Sequence, residues 1–301
     1  MPHPLPRLKP APLPDVTALP EYLAEGDLKA DYEDTKAVLQ VPWMGVVAMA
    51  FAGYRSFYRA LWPALRPVFA SAAMVEDCRR LRQQAEEAVL GLDPPPIAER
   101  LAAMGYAPRE LRQIREMIEV FSHGNFPYTV MATLARLLLE EHELDGRSDA
   151  AAFDGRHAPG VTVPFLLMEP HHVDAPTRAV YDDIKHRLDL PFVNTDYRAF
   201  ARWPSYFSEA WGDLRPHVQS EAYEAIVARL HDDFVEASLR LPNPEGLTSA
   251  ALRRAAEADA PGGEVLSVVR LFQWLLPGLI TNVAFFRQQF AGCADPPENS
   301  R

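Results

Sequence analysis

The chain has 301 residues, 48% hydrophobic and 10% aromatic, enough to bury a sizeable core in two domains or one large one. Its net charge of −11 argues against nucleic acid or an anionic membrane as partner, so an anionic ligand must be held by local groups. Two cysteines, Cys78 and Cys293, make a disulfide framework unlikely and suit a reducing cytoplasm; no run approaches the roughly 18 apolar residues of a membrane span.

In chain order, residues 1–22 are proline-rich without an apolar signal core and read as a flexible arm. A first helical repeat is expected over residues 23–143. Good helix formers fill Cys78–Leu92 and Ile97–Met104. Leu111, Ile114, Met117, Ile118 and Phe121 then form one apolar stripe, predicting a helix that starts at Pro108 and stops at Gly124. A second helix is expected from Tyr128 to Glu141. Residues 144–173, rich in Gly, Asp and His, read as a linker, and residues 174–295 as a second helical repeat. Within the linker Val161–Leu167 could be extended, but such stretches are too few to build a sheet.

The repeats are visible directly. Tyr32–Pro67 (YEDTKAVLQVPWMGVVAMAFAGYRSFYRALWPALRP) aligns without a gap to Tyr181–Pro216 (YDDIKHRLDLPFVNTDYRAFARWPSYFSEAWGDLRP) at a constant offset of 149. Pro42 pairs with Pro191, Phe51 with Phe200 and Trp62 with Trp211. A weaker match sets VFSHGNFPYTVMATLARLL against RLFQWLLPGLITNVAFFRQ, with Phe121 opposite Phe272, in a register open to a residue or two. The expected fold is all-α, two pseudo-symmetric helical-bundle repeats packed with an active-site channel between them.

Duplication supplies an internal control, because a polar residue opposite an apolar one is not demanded by the scaffold. Asn194, Thr195 and Asp196 stand opposite Gly45, Val46 and Val47. A carboxylate at a position that holds Val elsewhere is either hydrogen-bonded or functional. Equally, the three could simply cap a helix. In the other direction, His123-Gly124-Asn125 faces Trp274-Leu275-Leu276, and Asn125 alone reads as a helix terminator. One polar group from each copy is how a pseudo-symmetric interface becomes an asymmetric active site. His171-His172 lacks metal-ligand spacing, and no nucleophile elbow, P-loop or GxGxxG occurs. Glu140-Glu141-His142-Glu143 reads as the solvated end of a helix, and His123 as a support for its loop.

The segments YEDTKAVLQVPWMGV, FSHGNFPY and NTDYRAFARWP, in this order on a duplicated all-α chain, resemble the group I 2-haloacid dehalogenases. The resemblance spans Tyr32 to Phe290. That family acts on D-, or on both D- and L-, 2-haloalkanoic acids and is unrelated to the α/β haloacid dehalogenase superfamily. The resemblance implies hydrolytic displacement of halide with inversion, by direct attack of water and without a covalent ester. It places the catalytic aspartate at Asp196 and the water-positioning asparagine at Asn125. Substrate-binding positions then fall at Trp43, Val46, Tyr128, Phe192, Asn194 and Thr195. Asn194 departs from the small residue of dual-stereospecific members and matches D-specific ones, which implies D-2-haloacids as substrates. Burial would raise the pKa of Asp196, and backbone N–H groups after Pro42 and Pro191 would receive the substrate carboxylate.

The expected partner is a small 2-haloalkanoate; no metal or cofactor is implied, the location is cytoplasmic, and a homodimer follows by family analogy. Alternatives are an enzyme accepting both enantiomers, an ester-forming enzyme with Asp196 as nucleophile, and a non-catalytic helical ligand-binding protein.

Overall fold

A computed structural model describes residues 5–144 and 150–292; Cys293 lies outside them. Among the described residues the fold is all-α, with one isolated bridge between Ser71 and Ala152 and no strand. The helices are α1 (Gly26–Leu39), α2 (Val46–Ala52), α3 (Arg55–Phe69), α4 (Ala72–Ala88), α5 (Ala98–Ala103) and α6 (Pro108–Leu139). The same series then runs again as α7 (Ala175–Leu188), α8 (Thr195–Phe200), α9 (Pro204–Leu214), α10 (Glu221–Arg240), α11 (Ser249–Asp259) and α12 (Glu264–Gln288).

Local chemistry sets several of these boundaries. Asp174 caps α7 by accepting from Thr177 N–H at 2.9 Å, and Thr248 caps α11 by accepting from Ala251 N–H at 3.2 Å. Pro204 opens α9, where its missing N–H costs nothing. α1 and α7 both end in a left-handed residue, Gln40 (φ 52°) and Asp189 (φ 55°), 149 positions apart.

The duplication holds bond by bond. Tyr32 Oη donates to Leu19 O at 2.9 Å, and Tyr181 Oη donates to Met168 O at 2.8 Å. Trp62 Nε1 donates to Asp34 at 3.0 Å while Arg66 pairs with the same carboxylate; Trp211 Nε1 donates to Asp183 at 2.8 Å beside Arg215. The arginine and indole donors hold both carboxyls below the usual range against the opposing effect of burial.

The compact units divide the chain differently from the repeats. Unit 1 comprises Met1–Gln84, His123–Ala158 and Val227–Leu279; unit 2 comprises Ala85–Ser122, Pro159–Ile226 and Ile280–Arg301. Each therefore joins the first helices of one copy to late helices of the other. In unit 1 Phe51 meets Phe272 edge-on at 6.1 Å; in unit 2 its counterpart Phe200 meets Phe121 edge-on at 5.5 Å. This reciprocal packing supports the equivalence of Phe121 and Phe272 that the weaker sequence match offered.

Several expectations need correction. The helix expected to stop at Gly124 runs through it as the 32-residue α6, with Pro127 inside. Local stop signals lose here to burial, for residues 124–139 are buried without interruption. Thr129 and Thr133 hydroxyls return to the carbonyls four residues back, at 2.7 and 2.8 Å, as such residues do inside helices. The arm expected to be flexible is docked in unit 1 from Leu5 onward. Leu5 is fully buried, its carbonyl lies 2.7 Å from His231 Nε2, and Arg136 donates to Pro6 O at 3.0 Å.

The acidic end of α6 is paired, not merely solvated. Glu140 binds Arg136 and Arg270, both at 2.8 Å, and Glu143 accepts from Ser249 N–H. Among the described residues α12 is the one helix with the length and mean hydropathy of a membrane span, although polar residues interrupt its apolar run. Its most apolar window has a mean hydropathy of 1.4 and is 83% buried inside the structure, as a core helix would be.

Candidate active site

In unit 1 the predicted site residues gather around the loop before α2 and the middle of α6. Tyr128 Oη donates to the carbonyl of Trp43 at 2.8 Å, and the two rings lie 5.9 Å apart. Two glycines make room for this pair. A Cβ on Gly45 would fall 2.7 Å from the Tyr128 ring, and one on Gly124 would strike the Trp43 indole. Gly124 is thus kept in mid-helix for close approach of an aromatic ring, not as a helix stop.

Burial pushes the Tyr128 hydroxyl far above its ordinary pKa, so it stays neutral and committed to the Trp43 carbonyl. Glu21 fixes the same loop by accepting from Met44 N–H at 2.7 Å, with Lys36 on its other oxygen at 2.6 Å. Trp43 and Tyr128 are buried, while Val46 at the first position of α2 is partly exposed.

Asn125 lies inside α6 and is 4% exposed. It terminates nothing, so the bland account of this residue fails. A mid-helix asparagine costs about 0.6 kcal/mol against alanine, and burying its amide adds the need for partners. His123, just before it on the same helix, approaches Leu39 O at 3.1 Å, and burial drops its pKa to about 4. It is neutral at pH 7 and serves the packing of the α1 terminus.

Unit 2 holds the other predicted residues at the start of α8. Asn194 is the N-cap residue, Thr195 and Asp196 the first two helical positions, and Phe192 lies half-buried before them. Asn194, Thr195 and Asp196 are 6%, 6% and 2% exposed. Asn194 holds the N-cap position without capping the helix. Its side chain makes no cap bond, and its Oδ1 is enclosed without a hydrogen-bond partner.

Two features of this region are not among the residues expected from the sequence. Behind Asp196, Tyr197 Oη accepts from Asn282 Nδ2 at 2.8 Å, and Asn282 Oδ1 accepts from Tyr223 Oη at 2.8 Å, all three buried. Such a satisfied network rigidifies the helix that carries the carboxylate. Beside it, Arg198 Nη1 binds both oxygens of Glu169 at 2.8 and 3.0 Å, and Nη2 approaches Thr195 Oγ1 at 3.4 Å. The repeat carries a signal for the second, since Met49 and Pro20 stand opposite Arg198 and Glu169. Among the described residues no cluster of three or more metal-ligating side chains occurs.

Residues 42–196 match the protein family described as "Halocarboxylic acid dehydrogenase DehI". The (R)-2-haloacid dehalogenase of Rhizobium sp. (strain NHG3) is 43% identical over 253 residues, covering 83% of this chain and 97% of that protein. A solved complex of D-2-haloacid dehalogenase with L-LA superposes with a TM-score of 0.82 at 32% identity, covering 96% of this chain and 99% of the other. A complex of a D-2-haloacid dehalogenase mutant with D-2-CPA superposes with a TM-score of 0.81 at 33% identity, covering 96% and 98%.

Proposed function

The chain belongs to the DehI family of 2-haloacid dehalogenases, and on that footing we propose that Asp196 activates a water for direct attack while Asn125 aims it. The protein is a hydrolase of carbon–halogen bonds that converts 2-haloalkanoic acids, D-configured by preference, to 2-hydroxy acids.

The observation that carries the assignment is the pair of buried polar side chains at positions the scaffold fills with apolar ones. Asp196 is 2% exposed and stands opposite Val47; Asn125 is 4% exposed and stands opposite Leu276. In the reaction the water oxygen bonds to C2 from the face opposite the halogen. Asp196 takes a water proton, and halide departs with the bonding electron pair. Asn125 accepts the second water hydrogen and so aims the lone pair, and such orientation supplies a large part of the acceleration. Inversion turns a D-2-haloacid into an L-2-hydroxy acid. The opposite configurations of D-2-CPA and L-LA in the related complexes fit this course.

The substrate carboxylate accepts from the Thr195 hydroxyl and from first-turn N–H groups of α8, which the Asn194 side chain does not cap. Trp43 and Tyr128 offer polarizable surface to the halogen, while Phe192 and Val46 keep water from the reacting carbon. Asn194 excludes the substituent of the L-enantiomer, so Asn194→Ala is expected to admit L-2-chloropropionate. The test is halide release from D- and L-2-chloropropionate by the wild type and by Asp196→Asn. Release from the D-form alone, lost in the variant, is expected. Equal release from both hands would refute the role of Asn194, and undiminished release by Asp196→Asn would refute that of Asp196.

A further inference from the structure

We infer that Arg198, held by Glu169, is a positioning residue that orients the Thr195 hydroxyl toward the substrate carboxylate; this rests on the proposed function and deepens it. The duplicated copy again supplies the control. The tie between α8 and the segment before α7 is made in both copies by main-chain and tyrosine bonds. Met168 N–H donates to Arg198 O at 2.9 Å and Tyr181 Oη to Met168 O; Leu19 N–H donates to Met49 O at 3.2 Å and Tyr32 Oη to Leu19 O. Copy one completes this tie with Pro20, Met49 and Val46. Copy two carries Glu169, Arg198 and Thr195 at the same three positions. An ion pair and a hydroxyl have been added to a joint that holds without them.

Nor is the pair arranged for stability alone. Arg198 has a side chain only 17% exposed, and its Nε is enclosed without a partner, which costs desolvation free energy. What the arrangement does achieve is a direction for Thr195. Glu169 anchors Nη1 with both oxygens, and Nη2 faces Thr195 Oγ1 one turn back on α8. A hydroxyl that accepts from a guanidinium has its own hydrogen left to donate. The guanidinium charge 3.4 Å behind it also polarises that O–H and favours its bond to an anion. A monocarboxylate is the ligand such a donor suits.

The experiment is steady-state halide release from D-2-chloropropionate by wild type, Arg198→Met, Glu169→Gln, Arg198→Lys, Thr195→Val and the Thr195→Val/Arg198→Met pair. Circular dichroism and thermal unfolding accompany each variant. Arg198→Met should raise KM about tenfold with kcat changed less than about threefold, as loss of one charge-supported contact to the bound anion requires. Arg198→Lys should recover part of the affinity, and Glu169→Gln should lie between wild type and Arg198→Met. In the Thr195→Val background Arg198→Met should add no further rise in KM. A KM unchanged in folded Arg198→Met and Glu169→Gln, or additive effects in the pair, would overturn the inference. A wild type that releases no halide would instead strike the proposed function itself.

Discussion

The starts of α2 and α8 are the same piece of backbone with different chemistry. Their N-cap residues, Gly45 and Asn194, share a φ of −61°, and the helices begin 149 positions apart. The first carries Val46 and Val47; the second carries Thr195 and Asp196, with Arg198 where the first has Met49. Since the first folds without a polar group at these positions, the polarity of the second is not a requirement of the joint. It is an addition, and a buried carboxylate, a buried amide and a largely enclosed guanidinium are costly additions. That difference is the ground on which the proposed chemistry is assigned to the start of α8 and not to that of α2.

The comparison breaks most sharply if copy two is given the residue of copy one. Asp196→Val should lower kcat for D-2-chloropropionate about 10³-fold or more, the scale of a lost general base. Its unfolding free energy should stay level or rise by about 1 kcal/mol, because a buried carboxylate is replaced by a side chain the twin site already packs. Chemical denaturation alongside halide release checks both. A variant that unfolds would return Asp196 to the scaffold.

His123 and His231 are two enclosed histidines whose burial opposes protonation. Burial holds both rings at a pKa of about 4, below the 6.5 of an unfolded chain. The unfolded state therefore takes up protons first, and the stability these rings contribute is fully present above pH 6.5 and lost as pH falls toward 4. For fully buried His231 the slope is about 1.4 kcal/mol per pH unit across that window. Urea melts at pH 7, 6 and 5 should show it, and His231→Gln should remove its share.

The smallest effect contrasts two helical glycines. Gly124→Ala drives a methyl into Trp43 and should cost about 1–3 kcal/mol, with activity falling as the indole shifts. Gly212→Ala in α9, exposed and with nothing near its would-be Cβ, should gain about 0.5–1 kcal/mol and leave activity alone. Thermal unfolding of the two variants decides whether close aromatic approach is what keeps Gly124.

The repeat was legible because α1–α3 and α7–α9 are built by local contacts whose residues recur at one fixed spacing. Asp196 and Asn125 stand out by the same internal comparison, before any geometry. What escaped was long-range. The passage of α6 through Gly124 and Pro127 depends on burial that local propensity does not report, and the docking of Leu5 depends on His231, 226 positions away. The exchange of late helices between copies left only a faint register match, because Phe51 and Phe272 share no sequence neighbourhood. Arg198 differs from its counterpart Met49 as plainly as Asp196 differs from Val47, but only the ion pair with distant Glu169 gives that difference a meaning.

Direct attack by water is the central claim, and a single turnover of D-2-chloropropionate in heavy-oxygen water, with enzyme in excess, tests it most directly. The first lactate formed should carry the heavy oxygen, and Asp196 should remain unlabelled by peptide mass spectrometry. Unlabelled lactate in that first turnover, with heavy oxygen appearing in the Asp196 carboxylate, would show that the carboxylate attacks carbon itself and would contradict the account.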